Sequence, residues 1–449
     1  MYLEKSLLLY FLLAMIFLFG LIIGLEVSGV SVFYCAVAIL GLLVTALFRR
    51  RPCQYLYFFI YSISTLFIVI FYELSIYDFG APYYLGGSDD LAYENDALIL
   101  FASPKWWLYS PAKIGEVLNA PWHNSKGYVY FLTILHFFGE KVFDGYNTIV
   151  PRQLNAIFLA LTCVVFFKIF EPFTKDKKKL LLAFSLFGTM PIVQYISSHV
   201  FRDVGTLLVV ALIIYFIKYS EKSKIKSVFF VLLFSAILSQ LRVFYVPFLI
   251  LIILFFGASK CSFYKNKILM STLTFLSFLV ISSLIYYDYG VLGEIVNSVL
   301  SYNKYVAQMS DGYSKVIFSS PLIVQPFLRI AYSVVYPVPV LSPGGQASAF
   351  IYSLGTLFQI FVFFLGVRGI FLLSRESRAH YVILAAVIFY LAFSLGTFTF
   401  RHQLFFMPFI FGFFGVALSI KSMNNVLITF FAAFVSISIF GLLGFIRYL

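Results

Sequence analysis

The chain has 449 residues, 62% of them hydrophobic and only 11% charged, where a soluble domain carries about 25% charged residues. That balance excludes a soluble globular protein and indicates an integral membrane protein, apolar on its packed and lipid-facing sides alike. The formal charge of +13 does not point to a nucleic-acid partner, because the basic residues stand in short clusters between apolar runs, the positive-inside pattern.

In chain order, spans are predicted near 7–27, 29–48, 55–76, 151–170, 180–198, 204–219, 226–240, 243–257, 268–287, 349–373, 381–399, 403–420 and 425–446. The expected fold is all-α: a polytopic transmembrane helical bundle of about 11–14 spans, with helical outer loops and no separate soluble domain. The first run has no small-residue cleavage site and reads as a retained span. Orienting the spans by Arg49–Arg51, Lys175–Lys179, Lys218–Lys226, Lys260–Lys267 and Arg375–Arg378 places the N-terminus in the cytoplasm. Most acidic residues then fall outside. The four cysteines (Cys35, Cys53, Cys163 and Cys261) have no metal-ligand spacing.

Residues 1–449 thus form one membrane domain with two long outer segments, 77–150 and 288–348. Segments 128–138 and 322–342 are apolar but short or interrupted by proline. They are read as juxtamembrane or re-entrant pieces. Loops of this length in a compact protein are usually functional or disordered, and the first is too aromatic for disorder.

The first outer loop opens YYLGGSDDLAYEND, residues 83–96. Gly86 and Gly87 permit an unusual turn, and Ser88 or Asp89 can cap a helix running through Tyr93. Asp89, Asp90, Glu94 and Asp96 crowd within eight residues. Such neighbours raise one another's pKa, which suits a base, and Asp89 with Asp90 could equally hold a divalent cation. The loop also carries every tryptophan: Trp106, Trp107 and Trp122. These can anchor at the headgroups or stack on a sugar, with His123 beside Trp122. Finally, Arg202, Arg242 and Arg401 stand at outer span ends, with Arg152 and Arg329 at similar depth. Guanidinium is costly in a bilayer and matches phosphate geometry, so these positions either snorkel or face a phosphate-bearing ligand.

This order of features resembles the GT-C superfamily of multispanning glycosyltransferases, which includes protein O-mannosyltransferases and lipid A aminoarabinose transferases. The resemblance rests on GGSDDLAYE, GYVYFLTILHFFG, IVPRQLNAIFLAL and FRHQLFFMPFIFGFFGVAL. Bacterial O-antigen and capsule repeat-unit polymerases share the size, hydropathy and outward arginines. The chain departs from the GT-C pattern in having three spans before the acidic loop and no soluble C-terminal domain. The resemblance implies an inverting transfer of a glycosyl group from a polyprenyl-phosphate or -diphosphate carrier at the outer face of a bacterial cytoplasmic membrane. Asp89 or Asp90 would be the base. Arg202, Arg242 and Arg401 would stabilise the leaving phosphate, with Tyr93, Trp122, His123, Arg152 and Arg329 as further substrate contacts. The alternative is a flippase or transporter of lipid-linked saccharide, which predicts midplane charges, broken helices and internal repeats.

Overall fold

The computed structural model describes residues 28–87, 89–120, 125–174, 176–219, 224–242, 354–374 and 400–420, with scattered residues between 301 and 351 and between 427 and 438. Among these, every regular element is helical: α1 (Ser28–Ala46), α2 (Arg51–Phe79), α3 (Asp89–Ala102), α4 (Pro111–Val117), α5 (Lys126–Val142), α6 (Ile149–Phe170), α7 (Lys177–Thr189), α8 (Pro191–Ser197), α9 (Asp203–Tyr219), α10 (Lys224–Leu241), α11 (Gly355–Ser374) and α12 (Met407–Ser419).

Three helical stretches are long and apolar enough to cross a membrane: Gly29–Ala46, Arg51–Phe79 and Ile149–Phe173. At about 1.5 Å per residue, even the shortest approaches the ~30 Å of hydrocarbon. A fourth candidate is the pair α7–α8, bent by 56°. The sequence suggests one continuous span over 180–198. The break comes from Pro191, which lacks an N–H and forces Met190 out of helical geometry, to φ −57° and ψ 130°. Shorter apolar helices cover Ile225–Leu241, Phe358–Leu372 and Met407–Ser419. The spans expected at 7–27, 243–257, 268–287 and 381–399 lie outside the described residues, as do most of 425–446 and of the second outer segment.

Helix α6 is the hub. It packs against α1, α2, α7, α9 and α12, and its buried residues run all round the helix, from Ile149 to Phe170. A helix apolar on every side belongs in a core. Its few polar side chains are therefore paired inside: the Gln153 amide donates to Tyr61 Oη (2.6 Å) and Thr65 Oγ1 (2.9 Å) and accepts from Tyr34 (3.1 Å). Elsewhere α11 packs on α12, and α12 on α7.

The helix ends sort by charge. Where α2 begins and α6 finishes, Glu171 pairs with Arg50 (2.9 Å) and Lys177 (2.6 Å). Lys218, at the end of α9, donates to the Ile169 carbonyl beside the Phe173 ring. Three basic clusters of the sequence thus meet at one end of the assembly. The acidic loop gathers at the other with Arg152, Arg202, Arg242 and Arg401.

The segment 128–138 forms the middle of α5, which lies on α3 and touches α10. Trp106 is buried against Tyr130 and Phe137 of α5, at ring-centre distances of 5.6 and 6.0 Å. Trp107 stays exposed, as an interfacial anchor requires.

Candidate functional site

The site is built on the turn between α2 and α3. Gly80 caps α2 in the left-handed region, and Leu85, Gly86 and Gly87 follow with φ of 50°, 76° and 141°. This turn folds back so that the Tyr84 N–H donates to Asp90 Oδ2 (2.8 Å), while the Leu91 N–H donates to Oδ1 (3.1 Å). Asp90 is completely buried. Burial pushes its pKa up, against the opposing pull of the Tyr84 N–H, Arg152 and the Leu91 N–H.

Asp89 is placed differently. Its side chain is 51% exposed, and Oδ2 accepts from Arg401 Nη2 at 2.6 Å. The two carboxylates are therefore separated in role by one residue of helix. Both benefit from the positive end of α3.

Arg401 enters from just before α12 and reaches two acids. Besides Asp89, its Nε lies 3.8 Å from Asp203 Oδ2. Asp203 begins α9, is buried, and pairs through Oδ1 with Arg242 Nη1 at 2.5 Å. Arg202 lies with its guanidinium 5.4 Å from the Tyr93 ring centre, and Arg401 stacks 4.3 Å from that of Phe201. Burial opposes the charge of Arg202. It opposes that of Arg401 too, but there Asp203 and Asp89 overcome it, and Arg401 holds its proton more tightly than an ordinary arginine. Arg202, Arg242 and Arg401 thus meet around Asp203, beside the start of α3. Three guanidinium groups against the carboxylates of Asp203 and Asp89 leave a positive surplus, where an anion is favoured.

Arg152 does not join this cluster's ion pairs. It is buried on α6, donates through Nη1 to the Ser198 carbonyl (2.7 Å) and through Nη2 to the Pro82 carbonyl, and lies 5.3 Å from the Tyr72 ring centre. From there it clamps the α2–α3 turn and the α8–α9 loop to the hub helix. Asn155, one turn on, donates to the His199 and Phe201 carbonyls (2.8 and 3.2 Å) and holds the same loop. Trp122, His123 and Arg329 lie outside the described residues. Among the described residues no three His, Cys, Asp or Glu side chains gather as a metal-ligand set.

Further residues complete the surroundings. Asp203 is not singled out by the sequence, its only signal being its place beside Arg202 at the mouth of an apolar run. Glu94, one of the crowded acids of the loop, turns inward. It is buried, pairs with His136 at 2.8 Å and accepts from Tyr146 Oη at 2.8 Å, which ties α3 to α5 and to the loop before α6. His199 is also buried: its Nδ1 meets the Tyr195 carbonyl at 2.8 Å, and burial pushes its pKa down to about 3. It therefore stays neutral.

The arrangement pairs a half-exposed carboxylate with a cationic cluster at one end of the helices. No family model, curated protein or solved structure matches this chain.

Proposed function

We propose that the protein is a membrane glycosyltransferase. It takes a saccharide from a polyprenyl-phosphate or -diphosphate carrier at the outer face of a bacterial cytoplasmic membrane, in the assembly of cell-surface polysaccharide. The observation that carries this reading is the meeting of Arg202, Arg242 and Arg401 around Asp203, next to the exposed carboxylate of Asp89. Three guanidinium groups suit a phosphate in transit from an ester to a free anion. Asp89 suits the base, because a base must be reached by the proton it removes, and it is the exposed member of the pair.

In this reaction the acceptor hydroxyl oxygen attacks the anomeric carbon and its proton passes to Asp89. The bond from the anomeric carbon to the phosphate oxygen breaks, and that electron pair leaves on the phosphate, against the arginines. Asp90 is a positioning residue. By holding Tyr84 it sets the turn from which Asp89 projects.

The break between α7 and α8, whose far end delivers the His199–Asp203 loop, favours a second reading, the carrier of lipid-linked saccharide, since discontinuous helices recur in transporters. Both readings are tested by the purified protein's transfer of labelled saccharide from a polyprenyl-phosphate donor. Asp89→Asn is expected to lower turnover by about 10²–10⁴-fold, the usual worth of a general base, with donor binding intact. Arg401→Ala is expected to weaken donor binding. Full turnover in Asp89→Asn removes the base. Undiminished donor binding in Ala variants of all three arginines removes the phosphate site. Cells lacking the protein should accumulate the lipid-linked substrate in the outer leaflet; accumulation confined to the inner leaflet selects the carrier.

A further inference from the structure

Buried polar groups in folded proteins are nearly always hydrogen-bonded, and an exception calls for an explanation such as a ligand. One exception is Tyr128. The residue is only 4% exposed, yet its hydroxyl has no hydrogen-bond partner among the described residues. Phenylalanine would fill the same volume without an oxygen to desolvate, so packing does not explain the hydroxyl.

Its placement is specific. Tyr128 stands in the first turn of α5. Gly127 before it lies so close to α10 that a Cβ there would meet Gln240 at 2.7 Å. This close approach brings the tyrosine beside the end of α10, from which Arg242 reaches Asp203. The Tyr128 ring meets the Tyr93 ring edge-on, with centres 5.4 Å apart, and Arg202 lies over Tyr93. Burial holds the phenol well above its ordinary pKa, and Glu94, Tyr93, Asp203 and Asp90 push it the same way. The hydroxyl is therefore a permanent donor in a field set by carboxylates. Such a donor, set among aromatic rings and carboxylates, suits a neutral, hydroxylated ligand, whose own O–H groups can turn to the acids while its C–H face lies on the rings.

We propose that Tyr128 is a substrate-binding residue. Its hydroxyl donates to a hydroxyl or ring oxygen of the carrier's saccharide, so the seam of α3 and α5 is the glycosyl subsite beside the phosphate subsite of Arg202, Arg242 and Arg401. This rests on the glycosyltransferase reading and specifies which side of the cluster takes the sugar.

The test uses the full-length protein in lipid nanodiscs. It is titrated with polyprenyl phosphate and with polyprenyl phosphates bearing glucose, mannose or N-acetylglucosamine, and Tyr128→Phe is compared with wild type. Wild type is expected to bind at least one glycosylated lipid more tightly than the bare phosphate. Tyr128→Phe should weaken that lipid about three- to tenfold, the worth of one neutral hydrogen bond. It should leave bare polyprenyl phosphate unaffected and thermal stability undiminished. The subsite is overturned if Tyr128→Phe keeps wild-type affinity for the glycosylated lipid, if it weakens both lipids equally, or if the sugar adds nothing in wild type. In those cases tight binding of bare polyprenyl phosphate, lost in Arg401→Ala, leaves the phosphate site standing. Should wild type bind neither lipid above a neutral polyprenol control, the subsite and the functional reading fall together.

Discussion

Asp203→Asn is the most searching perturbation of the cationic cluster. The Asp203–Arg242 side chains are 2% and 10% exposed, so no water replaces a lost partner. With charge centres roughly 4 Å apart and an effective dielectric of ~20, their attraction is about 4 kcal/mol before desolvation. Breaking a buried pair from one side costs about 3–5 kcal/mol, because the remaining charge is stranded. Asp203→Asn removes the carboxylate 2.5 Å from Arg242 and also takes from Arg401 the carboxylate 3.8 Å away, so a loss within that range is expected. Arg242→Met should cost less, because Asp203 retains Arg401. The double variant should lose less than the sum of the two single variants, since the two changes remove the same ion pair. Equilibrium unfolding of the four proteins in mixed micelles measures the cycle. Additive losses, with the double variant equal to the sum of the singles, would refute the pairing and with it the cluster's geometry.

Two more predictions test the walls of the site. His199 has a folded-state pKa of about 3 against 6.5 for the free side chain. Its neutral form is thus favoured by folding; the stability this gives is complete above pH 6.5 and is lost as the pH falls towards 3, by at most roughly 5 kcal/mol. His199→Phe should flatten that part of the wild-type curve of thermal midpoint against pH, and identical slopes between pH 6 and 4 would show that His199 titrates normally. Gly127→Val should destabilise by about 1–3 kcal/mol through overpacking, since the added Cβ meets Gln240. An unchanged thermal midpoint would mean that α5 and α10 are not in close contact.

Much of the helical framework was legible in the sequence because it depends on local patterning. The spans at 29–48, 55–76 and 151–170 coincide with α1, α2 and α6 to within a few residues, and the basic clusters anticipate the meeting of Arg50, Lys177 and Lys218 near the end of α6. Pro191 was an available signal for the break in 180–198, but apolar continuity masked it. The site was legible only in its ingredients. Arg202, Arg242 and Arg401 stand out because each is a charge beside an apolar run, whereas Arg152 looks the same and serves backbone carbonyls instead. The difference lies in which loops fold over α6, a tertiary fact. Asp89 and Asp90 are likewise equivalent in sequence. One residue of helix turns the first outward and the second into the Tyr84 turn. The pairing of Glu94 with His136 and Tyr146 joins parts of the loop that no short pattern connects.

The contact between Asp89 and Arg401 joins residues 312 positions apart. At about 5–20 residues per second of synthesis, roughly 15–60 s separate the appearance of the first from that of the second. Through that interval Asp89 exists without Arg401, and so does Asp203. The ionic centre is therefore closed late, by the segment leading into α12. A chain cut short before residue 401 would carry the acidic loop, the hub helix and the aromatic seam, and yet have no finished site.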